Sequence, residues 1–480
     1  MEIHFIDLTI FVVYLVIMLG IGFYFMKRNK SEEDYYVGGR SMSAGHIGLS
    51  VVATDVGGGF SIGLGGLGFM MGLSGSWMLF TGLLGAWISA VLLIPKVYPV
   101  AVKHNFLTFP QSLAFHYNKK VALVAGIISL IGYIGFTSSQ ILAGAKLASA
   151  TFPSVSITDA ILIMGVIAIV YTAVGGIKAV IYTDTIQWII LMAGLIGIGI
   201  PLGYIHIGGW DAIRATLPDS FLSLTEVTFV QFFNWLITIV PIWFVGMTLY
   251  QRIYACRDEK TAKKAWRIAG LFEWPVMAFM GIALGLFARV GYEQGMFTNI
   301  GFAPGTGLDA ELGLPLFLRS ILPVGLMGLM LSAYFSAIMS TADSCLMAAS
   351  GNFSTDILSY FKRVKKYNTI KNSQVITLII GVVAVLLATH MQNVLELMLY
   401  SYAFMVSGLL VPVLGTLMLK RPSAKAAMAA MISGGLTTLT LILMQVELPL
   451  GLDANFFGIA VSAIAFAIFQ SASNTNKVVA

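Results

Sequence analysis

Apolar windows of about 20 residues recur along the whole chain, each long enough to cross a bilayer core as a helix. They centre near residues 15, 58, 85, 135, 165, 195, 238, 278, 333, 383, 407, 434 and 462. The polar stretches between them are short. The pattern therefore predicts one all-α polytopic membrane domain over 1–480, with about 13 transmembrane helices and no separate soluble domain. Two windows are interrupted near mid-span. The second, Gly45 to Gly72, contains Ala53-Thr-Asp-Val-Gly-Gly-Gly-Phe60, where each glycine gives up about 1 kcal/mol of helix propensity relative to alanine. The seventh contains Pro241, which lacks a backbone donor and crowds the preceding turn. Glycine also permits close packing and proline often only kinks a helix. Paired interruptions at corresponding positions of two halves, however, mark a transporter built from inverted repeats. The second and seventh windows are five apart. That predicts two five-helix repeats, 45–205 and 225–420, with one helix before them at 5–26 and two after them at 424–471.

Charge placement agrees with this count. With the N-terminus outside, the odd-numbered connections receive all of the 28 Lys and Arg residues except Lys146, Arg214, Arg289 and Arg319. Cytoplasmic loops carry the Lys/Arg excess. The expected placement is thus multi-pass in the plasma (inner) membrane, N-terminus outside and C-terminus cytoplasmic. Only 10% of residues are charged, against about 25% in ordinary globular domains, which excludes a soluble protein. The net charge of +6 then reflects topology, since no basic stripe with interleaved aromatics points to nucleic acid. Glu2 and Asp7 precede the first apolar run and Lys27-Arg28 follow it, the reverse of a cleavable signal peptide. Cys256 and Cys345 have no disulfide or metal-ligand spacing. No metal motif among the six histidines and no nucleophile–base set argues for an enzyme.

The densest chemistry lies in Phe335-Ser-Ala-Ile-Met-Ser-Thr-Ala-Asp-Ser344, near the end of an apolar segment. A charged side chain at the centre of a bilayer helix costs roughly 2.5–3.5 kcal/mol on insertion scales, so Asp343 is a functional candidate by default. Ser340 and Ser344 share a helix face, flanked by Thr341, with Ala337 one turn earlier. Hard oxygens grouped in this way suit a small hard cation such as Na⁺. Serine and threonine also simply let membrane helices pack closely.

These segments, taken in order, resemble the sodium/solute symporter family. The resemblance rests on Asp34-Tyr-Tyr-Val-Gly-Gly-Arg-Ser41, on Ala53-Thr-Asp-Val-Gly-Gly-Gly59 and on Tyr171 to Gln187. Gln251-Arg252 and Met339-Ser-Thr-Ala-Asp-Ser344 complete it. It covers about residues 5 to 420 and implies a LeuT-like fold, secondary active transport and Na⁺ as coupling ion. By resemblance, one sodium would be held by the carbonyls of Ala53, Val56 and Ala337 and the hydroxyls of Ser340 and Thr341. An unwound helix frees carbonyls that an ion can satisfy, which agrees with that ligand set. A second cation position or ion pathway would fall on Asp184, Ser340, Asp343 and Ser344. Asp343 stands where some two-sodium members carry Ser, and it could instead bond to backbone or to a basic residue. Asp184 could equally cap a helix. Asp55 resembles the acidic residue of the proline transporters, and it could also clamp the opened glycine backbone.

Solute contacts are expected around the two interruptions, where a few polar groups among aromatic walls make a small-molecule pocket. The candidates are Phe60, Ser61, Trp77 and Thr81; Phe136, Thr137, Ser139 and Gln140; and Asn234, Trp243, Tyr400 and Tyr402. Any one of these aromatics could equally face lipid. The function expected is Na⁺-coupled import of a small polar organic solute by alternating access, with the lipid bilayer and that solute as partners and no obligatory protein partner. A Na⁺-independent facilitator or channel of the same fold, or a transporter-like sensor, are the alternatives. Gly57-Gly-Gly59 resembles the choline branch and Asp55 the proline branch, so the solute stays open.

Overall fold

The structure, a computed structural model, describes residues 4–26, 32–55, 58–152, 155–361 and 369–478. Residues 56 and 57, and the side chains of Asp55, Phe60 and Ser61, lie outside that description. Among the described residues the regular structure is helical apart from one isolated bridge, Met42 to Cys256. The first half carries α1 (Phe5–Met26), α2 (Ala44–Asp55), α3 (Gly58–Met71), α4 (Trp77–Leu92), α5 (Lys119–Thr151) and α6 (Ile157–Gly194). The second half opens with α7 (Phe229–Val245), α8 (Met247–Ala255), α9 (Glu259–Leu271), α10 (Ala278–Glu293) and α11 (Ala310–Ile321). It closes with α12 (Leu326–Gly351), α13 (Thr369–Ala388), α14 (Val394–Met418), α15 (Ala424–Met444) and α16 (Ala454–Val478). Among the described residues nine helical runs are long and apolar enough to cross a membrane, and α7 with α8 forms a tenth as a bent pair. Ile379, Val383 and Leu386 of α13 and Ile464 and Ile468 of α16 are exposed apolar side chains. A continuous apolar exterior of this kind fits lipid and not water.

The bundle has two distinct ends. At one, the buried Asp7 carboxylate accepts the backbone N–H of Gly325 and of Gly328, each at 2.7 Å, and so caps the start of α12. Arg319 reaches the last turn of α5 there, donating to the Ala150 carbonyl at 2.9 Å. At the other end Arg40 donates to the Phe106 carbonyl at 2.8 Å and pairs with Glu33. Tyr98 donates to the Cys256 carbonyl and Tyr117 to the Pro412 carbonyl, at 3.0 and 2.8 Å. These are called the Asp7 end and the Arg40 end.

The two interruptions have different outcomes. Helix α2 stops at Asp55 and α3 resumes at Gly58, so the expected opening falls on 56–57, outside the described residues. In the seventh window α7 runs through Pro241, and the chain bends by 44° at Gly246, whose ψ of 115° is extended. The bend is therefore displaced from the proline. The carbonyl that Pro241 cannot serve is that of Ile237, and Asn455 of α16 donates its side-chain amide to it at 3.3 Å. With that acceptor satisfied, the helix has no reason to open there.

Helix α6 is not straight. Residues 12 apart on a straight helix are separated by about 18 Å. Yet the Tyr171 and Thr183 hydroxyls meet at 3.2 Å, so the run folds back on itself between them. Elsewhere small residues let backbones touch. A Cβ on Gly285 of α10 would lie 2.0 Å from the Gly65 carbonyl of α3, and one on Gly68 would lie 2.3 Å from the Ile282 carbonyl. Such closeness is the usual basis of helix packing in membranes.

Candidate functional site

Three of the five expected sodium ligands come together between α2 and α12. The Thr341 hydroxyl lies 2.8 Å from the Ala53 carbonyl and 3.2 Å from the Ala337 carbonyl one turn before it. All three residues are buried. One hydroxyl proton now serves this pair of carbonyls, and rotating it away would turn a lone pair toward a cation held by the same oxygens. Val56 lies outside the described residues. Ser340 faces a different partner, donating its hydroxyl to Asp184 of α6.

That Asp184 belongs to a second polar cluster, one turn toward the Arg40 end. Its carboxylate also accepts from Ser50 of α2 at 2.6 Å and lies 3.6 Å from the Arg252 guanidinium of α8. Arg252 in turn donates to Thr54 Oγ1 and to Ser344 Oγ, both at 2.7 Å, and to the Thr248 carbonyl at 3.3 Å. Both charged side chains are 0% exposed. A buried charge must be paired and hydrogen-bonded to be tolerated, and here four elements supply the partners. Asp343 takes part in a separate contact, with Thr172 Oγ1 of α6. The two carboxylates thus point into different hydrogen-bond sets. Sequence reasoning placed Arg252 in a cytoplasmic connection, among the loop charges. The signal for its burial was its place in a short helix that directly follows the Gly246 bend.

The solute candidates separate sharply. Tyr400 lines a cavity of about 580 Å³ toward the Asp7 end, with Gly63 and Gly66 of α3 and Trp235 and Thr238 of α7. Its hydroxyl donates to Glu396 at 2.6 Å. Four carboxylates, Asp309, Glu311, Glu396 and Asp453, also border this cavity. Thr81, Thr137 and Ser139 spend their hydroxyls on carbonyls three or four residues back in their own helices. Gln140 donates to Ser139 Oγ at 3.2 Å, and Phe136 packs edge-on against Tyr402. Trp243 is fully buried against Gly85 and Trp266. Asn234 ties α7 to the α15–α16 connection through the Gly451 carbonyl and the Asp453 N–H. Trp77 bonds to the Leu224 carbonyl and stacks on Trp274. Trp235, Thr238 and Gly63 reach the cavity and were missed, because a lining position depends on how helices are rotated and not on residue type.

A third cluster closes one side of this cavity. Lys146 of α5 binds Asp309 and Glu311, each at 2.7 Å. Glu311 also accepts the N–H groups of Val394 and Leu395 at 2.9 Å, capping α14. Lys146, left over in the charge count, is therefore a buried strut between the first half of the chain and the second.

The pattern of the Sodium:solute symporter family matches residues 35–434. The osmoregulated proline transporter OpuE of Bacillus subtilis (strain 168) is 27% identical over 469 residues, covering 94% of this chain and 92% of that protein. The high-affinity proline transporter PutP of the same organism is 30% identical over 438 residues, covering 88% and 89%. A solved Na⁺-coupled sialic acid symporter, in a substrate-bound outward-open state, superposes with a TM-score of 0.79 over 98% of both chains at 22% identity. That likeness speaks for a shared fold. With its pattern matched across most of its length and that fold beneath it, the chain belongs to the sodium:solute symporter family.

Proposed function

We propose that the protein is a Na⁺-coupled symporter that imports a small polar organic solute by alternating access. The observation that carries this reading is the meeting of Ala53, Ala337 and Thr341 oxygens where α2 ends against α12. A sodium there would tie the two helices together, so its binding energy differs between conformations in which they touch and in which they part. The cavity at the Asp7 end admits solute from one side, while the Arg252 cluster holds α2, α6, α8 and α12 together at the other. Transport then requires that cluster to separate as the cavity closes.

Thirteen spans, with the Asp7 end outside and the Arg40 end cytoplasmic, are part of the same proposal. The ten long apolar runs are joined by three shorter apolar helices, Phe5–Met18, Ala44–Thr54 and Ile157–Ala173. The fold-back in α6 supports counting its two arms separately. The basic residues crowd the connections of the Arg40 end, as the positive-inside rule requires of the cytoplasmic side. The protein would then sit in the plasma (inner) membrane. The two relatives compared above are named as proline transporters, which makes L-proline the first solute to try. In proteoliposomes, an inward Na⁺ gradient should drive uptake of a solute that a thermal-shift screen in Na⁺ has picked out. Equal uptake when K⁺ replaces Na⁺ would contradict the symport reading.

A further inference from the structure

We infer that Arg252 is a tethered occupant of the second cation position, so that this chain binds one Na⁺ and its own guanidinium supplies the second charge. The inference rests on the Na⁺-symport reading above. The position expected for a second cation comprises Asp184, Ser340, Asp343 and Ser344, and a guanidinium already sits against two of these, Asp184 and Ser344. Ser344 Oγ accepts from Arg252 Nη2 at 2.7 Å, and the Asp184 carboxylate lies 3.6 Å from the same nitrogen. Thr54 Oγ1 accepts from Nη2 at 2.7 Å, and Ser50 Oγ from Nε at 3.3 Å. Ser340 donates its hydroxyl to the same Asp184 carboxylate and makes the contact that the guanidinium does not.

Charge balance points the same way. Arg252 and Asp184 are both 0% exposed and cancel. A sodium placed among the same oxygens would sit beside a guanidinium, with no screening water between two like charges. Asp343 does not relieve this, because its carboxylate is directed to Thr172 and not to the Arg252 set. An arginine tethered to α8 differs from a free ion in one respect that bears on function. It cannot leave with the solute, so it holds the Arg40 end shut in this conformation and must withdraw, still attached, when that end opens. Hydroxyls and a carboxylate that suit a guanidinium would also suit a bare Na⁺ once the guanidinium is gone.

The test is the number of ²²Na⁺ ions bound per molecule of purified full-length protein, read by equilibrium binding in detergent. Wild type should bind one. Arg252→Gln removes the tethered charge while keeping a polar side chain, and should bind two. Adding Asp184→Asn to it should return the count to one. Arg252→Gln that folds and still binds one overturns the inference. Should that variant fail to fold, Ser344→Ala decides the matter, because its hydroxyl serves the guanidinium. Sodium affinity should then change less than twofold, and a loss of tenfold or more overturns the inference. Wild type binding two Na⁺ overturns it while leaving symport intact, whereas wild type binding none removes the symport reading itself.

Discussion

Lys146 and Arg252 are both basic side chains buried among helices, yet they are held in opposite ways. Lys146 binds two carboxylates, one of which, Asp309, is 40% exposed at the cavity mouth. Arg252 binds one carboxylate, three hydroxyls and the Thr248 carbonyl, and neither member of its ion pair touches solvent. In the first set the Asp309 contact alone can exchange with water at little cost, because Lys146 and Glu311 are buried. The second can be broken only by moving α2, α6, α8 and α12 apart. One end of the molecule is therefore latched loosely around a cavity, and the other is locked by a desolvated pair. That asymmetry fits the alternating access proposed above.

The comparison predicts unequal costs. Asp184→Asn strands a buried guanidinium, and breaking such a pair costs about 3–5 kcal/mol. The yield of monodisperse protein and its thermal midpoint should both fall steeply. Lys146→Met should cost less, on the order of 1–3 kcal/mol, because Glu311 keeps the N–H groups of Val394 and Leu395. Equal losses in the two variants would erase the distinction between lock and latch.

The helical windows and the family were legible in the sequence because each depends on local pattern. The resemblance to the family singled out Ala53, Ala337 and Thr341, and the structure brings their oxygens together. The bend was misplaced because its position depends on a tertiary contact: Asn455, more than 200 residues away, satisfies the carbonyl that Pro241 abandons. Arg252 and Lys146 were read as loop or boundary charges because their partners, Asp184 and Glu311, come from other parts of the chain. Thr81, Thr137 and Ser139 turned out to bond to carbonyls of their own helices, since hydroxyl-rich helix faces look alike whether or not they border a cavity.

Smaller perturbations sharpen the picture. Asn455→Ala leaves the Ile237 carbonyl without its partner and should cost about 1–3 kcal/mol, seen as a lower thermal midpoint with unchanged Na⁺ affinity. A shift in Na⁺ affinity instead would mean that Pro241, and not Gly246 alone, shapes the ion site. The smallest effect belongs to Asp258, which caps α9 at the exposed Arg40 end. Its carboxylate accepts the Thr261 N–H at 2.7 Å, and that bond holds its pKa below the ordinary carboxylate value. A depressed folded pKa gives stability that is present above the unfolded value and is lost as pH falls through the folded one. Asp258→Ala should lower the thermal midpoint slightly at pH 7, and the gap to wild type should close in acid below the normal aspartate range. A gap that persists there would assign the effect to packing.

Sodium dependence of a Thr341→Ala variant tests the sodium assignment most directly. Thr341 contributes the hydroxyl that joins the Ala53 and Ala337 carbonyls, and its removal leaves the packing of α12 nearly intact. Titrating Na⁺ against thermal stability, and against uptake once a solute is found, should show an apparent Na⁺ affinity weakened at least tenfold with folding preserved. An unchanged Na⁺ titration in a well-folded variant would place the ion elsewhere and make the meeting of α2 with α12 a packing contact alone.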